Sequence, residues 1–123
     1  MRRFLLIDDD EPEFIFVNFL LKDRYGEDYS LGYAKSVEEA QTHLSEHGVD
    51  MILLDDRLSG GMTSAESIPL LQKRAFHIPI IVVSKDINAR HLRDRMRVGT
   101  NKVVDKFAFK QALADGLLDK QLT

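Results

Sequence analysis

Met51-Ile52-Leu53-Leu54-Asp55-Asp56 runs into Arg57-Leu58-Ser59-Gly60-Gly61. A short unbroken apolar run of this kind suits a strand buried on both faces, as in a parallel sheet covered by helices. Acids at the end of such a strand sit at the carboxyl edge of the sheet, where open α/β folds keep their ligand sites. A lone Asp there would more simply begin a turn. A second strand argues for more than a turn, because Phe4-Leu5-Leu6-Ile7 leads in the same way into Asp8-Asp9-Asp10-Glu11.

Outward from these two strands the chain alternates. Pro12 is welcome in a first helical turn, so a helix is predicted from about Glu11 to Lys22, broken at Tyr25-Gly26-Glu27-Asp28. Tyr29 to Ala34 is a weak strand. Ser36-Val37-Glu38-Glu39 has capping-box spacing, the Ser oxygen and the Glu39 carboxylate each serving a backbone N–H. The helix it opens runs to about His47 and stops at Gly48. Pro69 tolerates only a first-turn position, which puts the next helix at about Ala65 to Ala75, behind a long glycine-bearing loop. Ile78 to Val83 is another buried strand, with Pro79 near its start and Ser84 closing it. Asp86 to Val98 is a helix ended by Gly99. Lys102-Val103-Val104 is a short fifth strand that delivers Asp105-Lys106. Ala108 to about Gln121 is a last helix with Gly116 near its middle, expected to be the least stable.

Helical crossovers between buried strands mean a parallel sheet with helices on both faces, a doubly wound α/β fold. Right-handed crossovers collect all strand C-termini on one edge. That edge is expected to hold Asp8, Asp9, Asp55, Asp56, Ser84 and Lys106.

The 123 residues suit one domain with a real core, spanning residues 1–123, and 44% hydrophobic with 30% charged residues are globular values. Seventeen Lys and Arg against 20 Asp and Glu give a net charge of −3, which argues against bulk binding to nucleic acid or anionic membrane. With no cysteine there is no disulfide, thiol nucleophile or thiolate metal site. Met1-Arg2-Arg3 before an apolar run is too soon interrupted by acids to be a signal peptide. No run is long enough to span a bilayer. A soluble, cytoplasmic domain is expected.

Several carboxylates within a few ångströms repel unless a cation joins them. A hard divalent cation, Mg²⁺ above all, binds through few protein oxygens, waters and a phosphate oxygen. Lys106 adds a fixed positive charge and Ser84 a hydroxyl donor. These parts suit a phosphoryl group held by metal, ammonium and hydroxyl, with an Asp oxygen as nucleophile, since phosphoryl transfer needs in-line positioning and charge neutralisation above all.

Asp8-Asp9, Asp55, Ser84 and Lys106, on this strand–helix alternation, resemble the receiver domain of two-component response regulators, of the CheY-like kind. The likeness covers the whole chain. It implies a flavodoxin-like five-stranded sheet in the order 2-1-3-4-5. It also implies Asp55 as phosphoacceptor, Ser84 as the switch hydroxyl and Lys106 as counter-ion. Asp9, Asp55 and the main-chain carbonyl of Arg57 match ligands of Mg²⁺ (or Mn²⁺), with Asp8 acting through water. The partner implied is a histidine kinase or histidine phosphotransfer protein, with a phosphorylation-dependent dimer as a possible output. The chain also departs from the pattern. Phe107 stands where a cis proline usually follows the lysine, and a cis bond at a non-proline costs roughly 2.5–4 kcal/mol, so a trans bond and a reshaped loop are expected. Val103 replaces the usual aromatic switch residue, Ser59 replaces a proline, and Asp56 directly follows Asp55.

Three further expectations concern this chain alone. Arg57 and Asp86, each two residues past Asp55 and Ser84, flank the cleft mouth and could pair across it, restricting the hydrolytic water; two solvated side chains are as good a reading. In the first helix, at about 100° per residue, Phe16, Val17, Leu20 and Leu21 share the core face and Phe14 lies at its margin. Ile15 and Phe19 fall on the opposite side, either as a partner surface or as scattered exposed apolar residues. In the helix from Asp86, Ala89, Leu92 and Met96 face inward. Arg90, Arg93 and Arg97 form an outer strip, solvated with an Arg90–Asp94 pair or docking an acidic partner. His43, His47, His77 and His91 read as surface or boundary residues.

The function expected is a phosphorylation switch that takes a phosphoryl group onto Asp55 and signals through its surface, without turnover. One alternative is a degenerate receiver acting only as an interaction module. Another is the receiver part of a longer regulator. A hydrolase working through an aspartyl-phosphate is disfavoured because Arg57 occupies the position of its usual second Asp.

Overall fold

The computed structural model describes residues 1–58, 61–75, 77–86, 88 and 102–122. The strands are β1 (Arg2–Ile7), β2 (Tyr29–Ala34), β3 (Met51–Asp55), β4 (Ile80–Ser84) and β5 (Lys102–Asp105). The helices are α1 (Glu11–Tyr25), α2 (Val37–Glu46), α3 (Ser64–Ala75) and a C-terminal pair, α4 (Phe109–Ala114) and α5 (Leu117–Leu122). All strands pair in parallel in the order β2-β1-β3-β4-β5, the flavodoxin-like order expected. No helix among the described residues is long and apolar enough to cross a membrane.

Because side chains alternate along a strand, the central strands feed two cores. Leu5, Ile7, Ile52, Leu54, Val82 and Val103 pack with Val37 and Ala40 of α2 and Ile68 and Leu71 of α3. Phe4, Leu6, Met51, Leu53, Ile81 and Val104 pack on the other side with Val17, Leu20 and Leu21 of α1 and with Phe109, Leu113 and Leu118. The same alternation governs which way each residue at the carboxyl edge faces.

The helices differ from expectation in instructive ways. α1 continues past Lys22 to Tyr25, where the Tyr25 ring lies 5.7 Å from Phe4 and its hydroxyl donates to Asp119 at 2.9 Å. Gly26, with φ 65°, then caps it by donating its N–H to the Lys22 carbonyl. At α2, Ser36 Oγ accepts from the Glu39 N–H at 3.2 Å, but the Glu39 carboxylate accepts from the Lys35 N–H at 2.7 Å, one residue upstream of the cap. α3 begins at Ser64, so Pro69 lies in its second turn and not its first. Interior proline costs about 3 kcal/mol, and here the burial of Ile68 and Leu71 outweighs it while Pro69 stays exposed.

The single last helix expected from Ala108 is two helices after a 3-10 turn, Lys106–Ala108. Asp115 and Gly116 separate them, Gly116 at φ 84°, a region glycine enters without the steric cost other residues meet. The break keeps Leu113, Leu117 and Leu118 all buried. β4 starts at Ile80, leaving Pro79 outside the strand with its carbonyl accepting from Ile52 N–H at 2.9 Å. On α1, Val17, Leu20 and Leu21 are buried and Ile15 and Phe19 are exposed, as expected. Phe16 is not core: it is 47% exposed, at the rim between α1 and the last strand. The helix expected from Asp86 to Val98, with Arg90, Arg93 and Arg97, falls almost wholly outside the described residues.

Candidate functional site

Asp8 is the first residue past β1, and its N–H extends the ladder to the Ala34 carbonyl at 3.0 Å. Its side chain is buried, with one oxygen accepting the Asp10 N–H at 3.0 Å. Asp55 is the last residue of β3 and half-buried, whereas Asp9, one step further into the loop, is exposed. One carboxylate oxygen from each of Asp8, Asp9 and Asp55 lies within 4.8 Å of the others. Strands β1 and β3 are neighbours in register, Ile7 opposite Leu54, which is why their ends converge.

Electrostatics mark two of these residues, Asp8 and Asp55. Asp55 is pushed up to about 7, chiefly by burial, then by the Asp8 carboxylate, with Asp9 and Asp56 adding and Lys106 opposing. Asp8 is pushed up to about 6, again chiefly by burial, against the Asp10 N–H and Lys106. Crowded acids that resist ionisation want a cation. Three oxygens at this spacing fit a hard divalent ion that completes its shell with water.

Lys106 follows β5 and lines the cleft with Asp8, Asp55 and Ser84. Its direct ion pair is with Glu13 of α1, at 3.1 Å, both side chains largely buried. Burial works against its charge, but the Glu13 hydrogen bond and charge, followed by Asp55 and Asp8, outweigh this and hold its pKa above the usual lysine value. Glu13 is therefore a supporting residue that the sequence did not single out.

Asp56 points the other way. It is 2% exposed, and its carboxylate accepts from Ser64 Oγ at 2.6 Å and lies 3.3 Å from Ser84 Oγ. The alternation along β3 carries a sequence signal for this: the residue after Asp55 turns to the other face, toward Ser64 and Ser84, while both acids border the cleft. Ser84, itself buried, accepts from the Asp86 N–H at 3.1 Å, with the Asp86 carbonyl also at 3.1 Å.

The remaining expected residues fall around the rim. Arg57 and Asp86 are exposed and line the same cleft, and no ion pair joins them. Arg57 instead bridges in antiparallel fashion to Thr63, closing the loop before α3; Ser59 and Gly60 in that loop lie outside the described residues. The Lys106–Phe107 bond is trans, Phe107 is 81% exposed, and Val103 is buried. Asp105 accepts the Phe107 N–H at 2.9 Å and so starts the 3-10 turn.

The family model described as the response regulator receiver domain matches residues 4–117. Comparison with curated proteins by sequence finds no significant match. Among solved structures, the chain is similar to the receiver domain of a Pseudomonas aeruginosa sensor histidine kinase with magnesium coordinated in its active-site cleft. That match has 18% identity and TM-score 0.80, covering 98% of this chain and 97% of that one. It is also similar to the Thermotoga maritima response regulator TrrA in complex with Mg²⁺–BeF, at 22% identity and TM-score 0.78, covering 99% and 100%. A CheY-like receiver domain from Methanospirillum hungatei matches at 18% identity and TM-score 0.81, covering 98% and 94%. At these identities the likeness shows the fold.

Proposed function

The chain belongs to the response regulator receiver domain family, and from that premise we propose that it accepts a phosphoryl group on Asp55 with Mg²⁺ (or Mn²⁺) and works as a phosphorylation switch. The observation that carries this reading is the meeting of Asp8, Asp9 and Asp55 within 4.8 Å on the cleft that Lys106 and Ser84 also line. Asp9, Asp55 and the Arg57 carbonyl would hold the cation, Asp8 through water. The cation supplies charge neutralisation for the incoming phosphoryl group.

The protein's own groups do the rest. A carboxylate oxygen of Asp55 attacks phosphorus in line; the new O–P bond forms as the donor's N–P bond breaks, and the donor imidazole leaves. Lys106 balances charge on the phosphoryl oxygens, steadied by Glu13. Ser84 donates its hydroxyl to one of those oxygens in the phosphorylated state. All 123 residues then act as one cytoplasmic receiver that signals without turnover.

Receivers take phosphoryl groups from histidine kinases or phosphotransfer proteins. Here Ile15 and Phe19 on α1 and Phe107 after β5 are exposed apolar residues on elements bordering the cleft, suited to the helices that carry a donor histidine. Acetyl-phosphate labelling with Mg²⁺ tests the assignment: wild type and Asp56→Asn label, Asp55→Asn does not. Labelling that survives in Asp55→Asn would overturn it.

A further inference from the structure

Between β3, β4 and the start of α3 the structure holds a buried carboxylate that the phosphorylation chemistry does not use. Asp56 accepts from Ser64 Oγ at 2.6 Å and lies within 3.3 Å of Ser84 Oγ, and Asp56, Ser64 and Ser84 are all buried. We propose that Asp56 is a positioning residue that anchors the Ser84 hydroxyl in the unphosphorylated state and so sets how readily the switch turns on. The inference rests on the phosphorylation reading above.

Ser84 has one proton to give. In this state two acceptors are in reach of it, Asp56 Oδ2 at 3.3 Å and the Asp86 carbonyl at 3.1 Å. To donate to a phosphoryl group on Asp55, Ser84 must leave both. The loss falls on Asp56, because a buried acceptor gives up one of its hydroxyl partners. Ser64 moderates that loss. Its shorter bond keeps Asp56 satisfied when Ser84 departs, so Ser64 eases the transition that Asp56 resists. A neutral apolar side chain at position 56 would free Ser84 from this competition altogether.

The two serines therefore give opposite signs through one carboxylate. Removing Asp56 should favour the activated state; removing Ser64 should oppose it, by making Asp56 depend more on Ser84. Both effects must run through the Ser84 hydroxyl and disappear with it. A structural role alone does not produce that pattern.

Binding of beryllofluoride at saturating Mg²⁺, followed by isothermal titration, reads the activated state. Asp56→Ala is expected to bind about fivefold more tightly than wild type, the worth of one competing hydrogen bond, with Asp56→Asn in between. Ser64→Ala is expected to bind more weakly by about threefold, a fraction of the same bond. In a Ser84→Ala background neither substitution should change the affinity. Urea unfolding of each variant confirms that folded protein is compared; if Asp56→Ala fails to fold, Asp56→Asn and Ser64→Ala carry the test. Unchanged affinities in folded variants, with normal wild-type binding, would leave the Ser84 proton on the Asp86 carbonyl and overturn this proposal alone. Effects that persist without the Ser84 hydroxyl would overturn it too. No binding by wild type would overturn the phosphorylation reading, and this one with it.

Discussion

On the α1 side of the sheet's carboxyl edge, Asp8 and Asp55 crowd together with too little positive charge, and both resist ionisation. On the α2 and α3 side, Asp56 is more deeply buried than Asp55 and yet has hydroxyl partners in place. Two consecutive residues, the last of β3 and the first beyond it, thus meet opposite conditions. The difference lies in what each acid waits for. Asp55 is left short of partners that a cation and a phosphoryl group can supply, whereas Asp56 is satisfied by the fold itself. Strained electrostatics on one face and satisfied hydrogen bonds on the other are what the proposed roles of Asp55 and Asp56 rest on.

That contrast can be broken most forcefully beneath it. Leu54, fully buried under the Asp56 side, should lose about 2–5 kcal/mol of stability as Leu54→Ala in urea unfolding. The sharper test compares the two acids directly, in the metal-free protein at pH 8. Asp56→Ala should destabilise by about 1–3 kcal/mol, since two buried hydroxyls lose an acceptor. Asp55→Asn should instead stabilise, on the order of 1 kcal/mol after solvent screening, while weakening Mg²⁺ binding. Equal signs for the two substitutions would erase the distinction drawn between the faces.

Protons offer a third measurement. Asp8 and Asp55 have folded-state values of about 6 and about 7, above those of the unfolded chain. Between about pH 4 and 7 the native state therefore binds more protons than the unfolded one. Metal-free stability should fall as pH rises through that window, with the full penalty present above it. Thermal unfolding across pH should show this slope, flattened in an Asp8→Asn/Asp55→Asn double variant, and Mg²⁺ should raise stability more at pH 8 than at pH 5. The smallest effect belongs to the exposed side of α1. Ile15→Ser/Phe19→Ser should leave stability within about 0.5 kcal/mol while slowing transfer from a histidine-bearing partner.

Much of this was legible in the chain. The runs Phe4–Ile7, Met51–Leu54 and Ile80–Val83 are apolar without interruption, so the buried strands and their polar ends are legible in the sequence. The cluster of Asp8, Asp9 and Asp55 followed from that reading. What stayed hidden depended on three-dimensional partners. Phe16 shares a helical face with Val17 and Leu20, but it lies at the rim beside Lys106 and Phe109 and stays half exposed. Pro69 obeys local preference less than the packing of Ile68 and Leu71. Glu13 is one acid among several in its stretch, and only the fold brings Lys106 to it.

The turn after β5 is shaped by a side chain. Where a proline ring would dictate the path covalently, the Asp105 carboxylate holds the Phe107 amide. Lys106 thus sits on a backbone turn fixed by one exposed hydrogen bond, while its ammonium is held separately by Glu13. Asp105→Ala would loosen the path of the main chain after β5 and leave the ammonium's own ion pair in place.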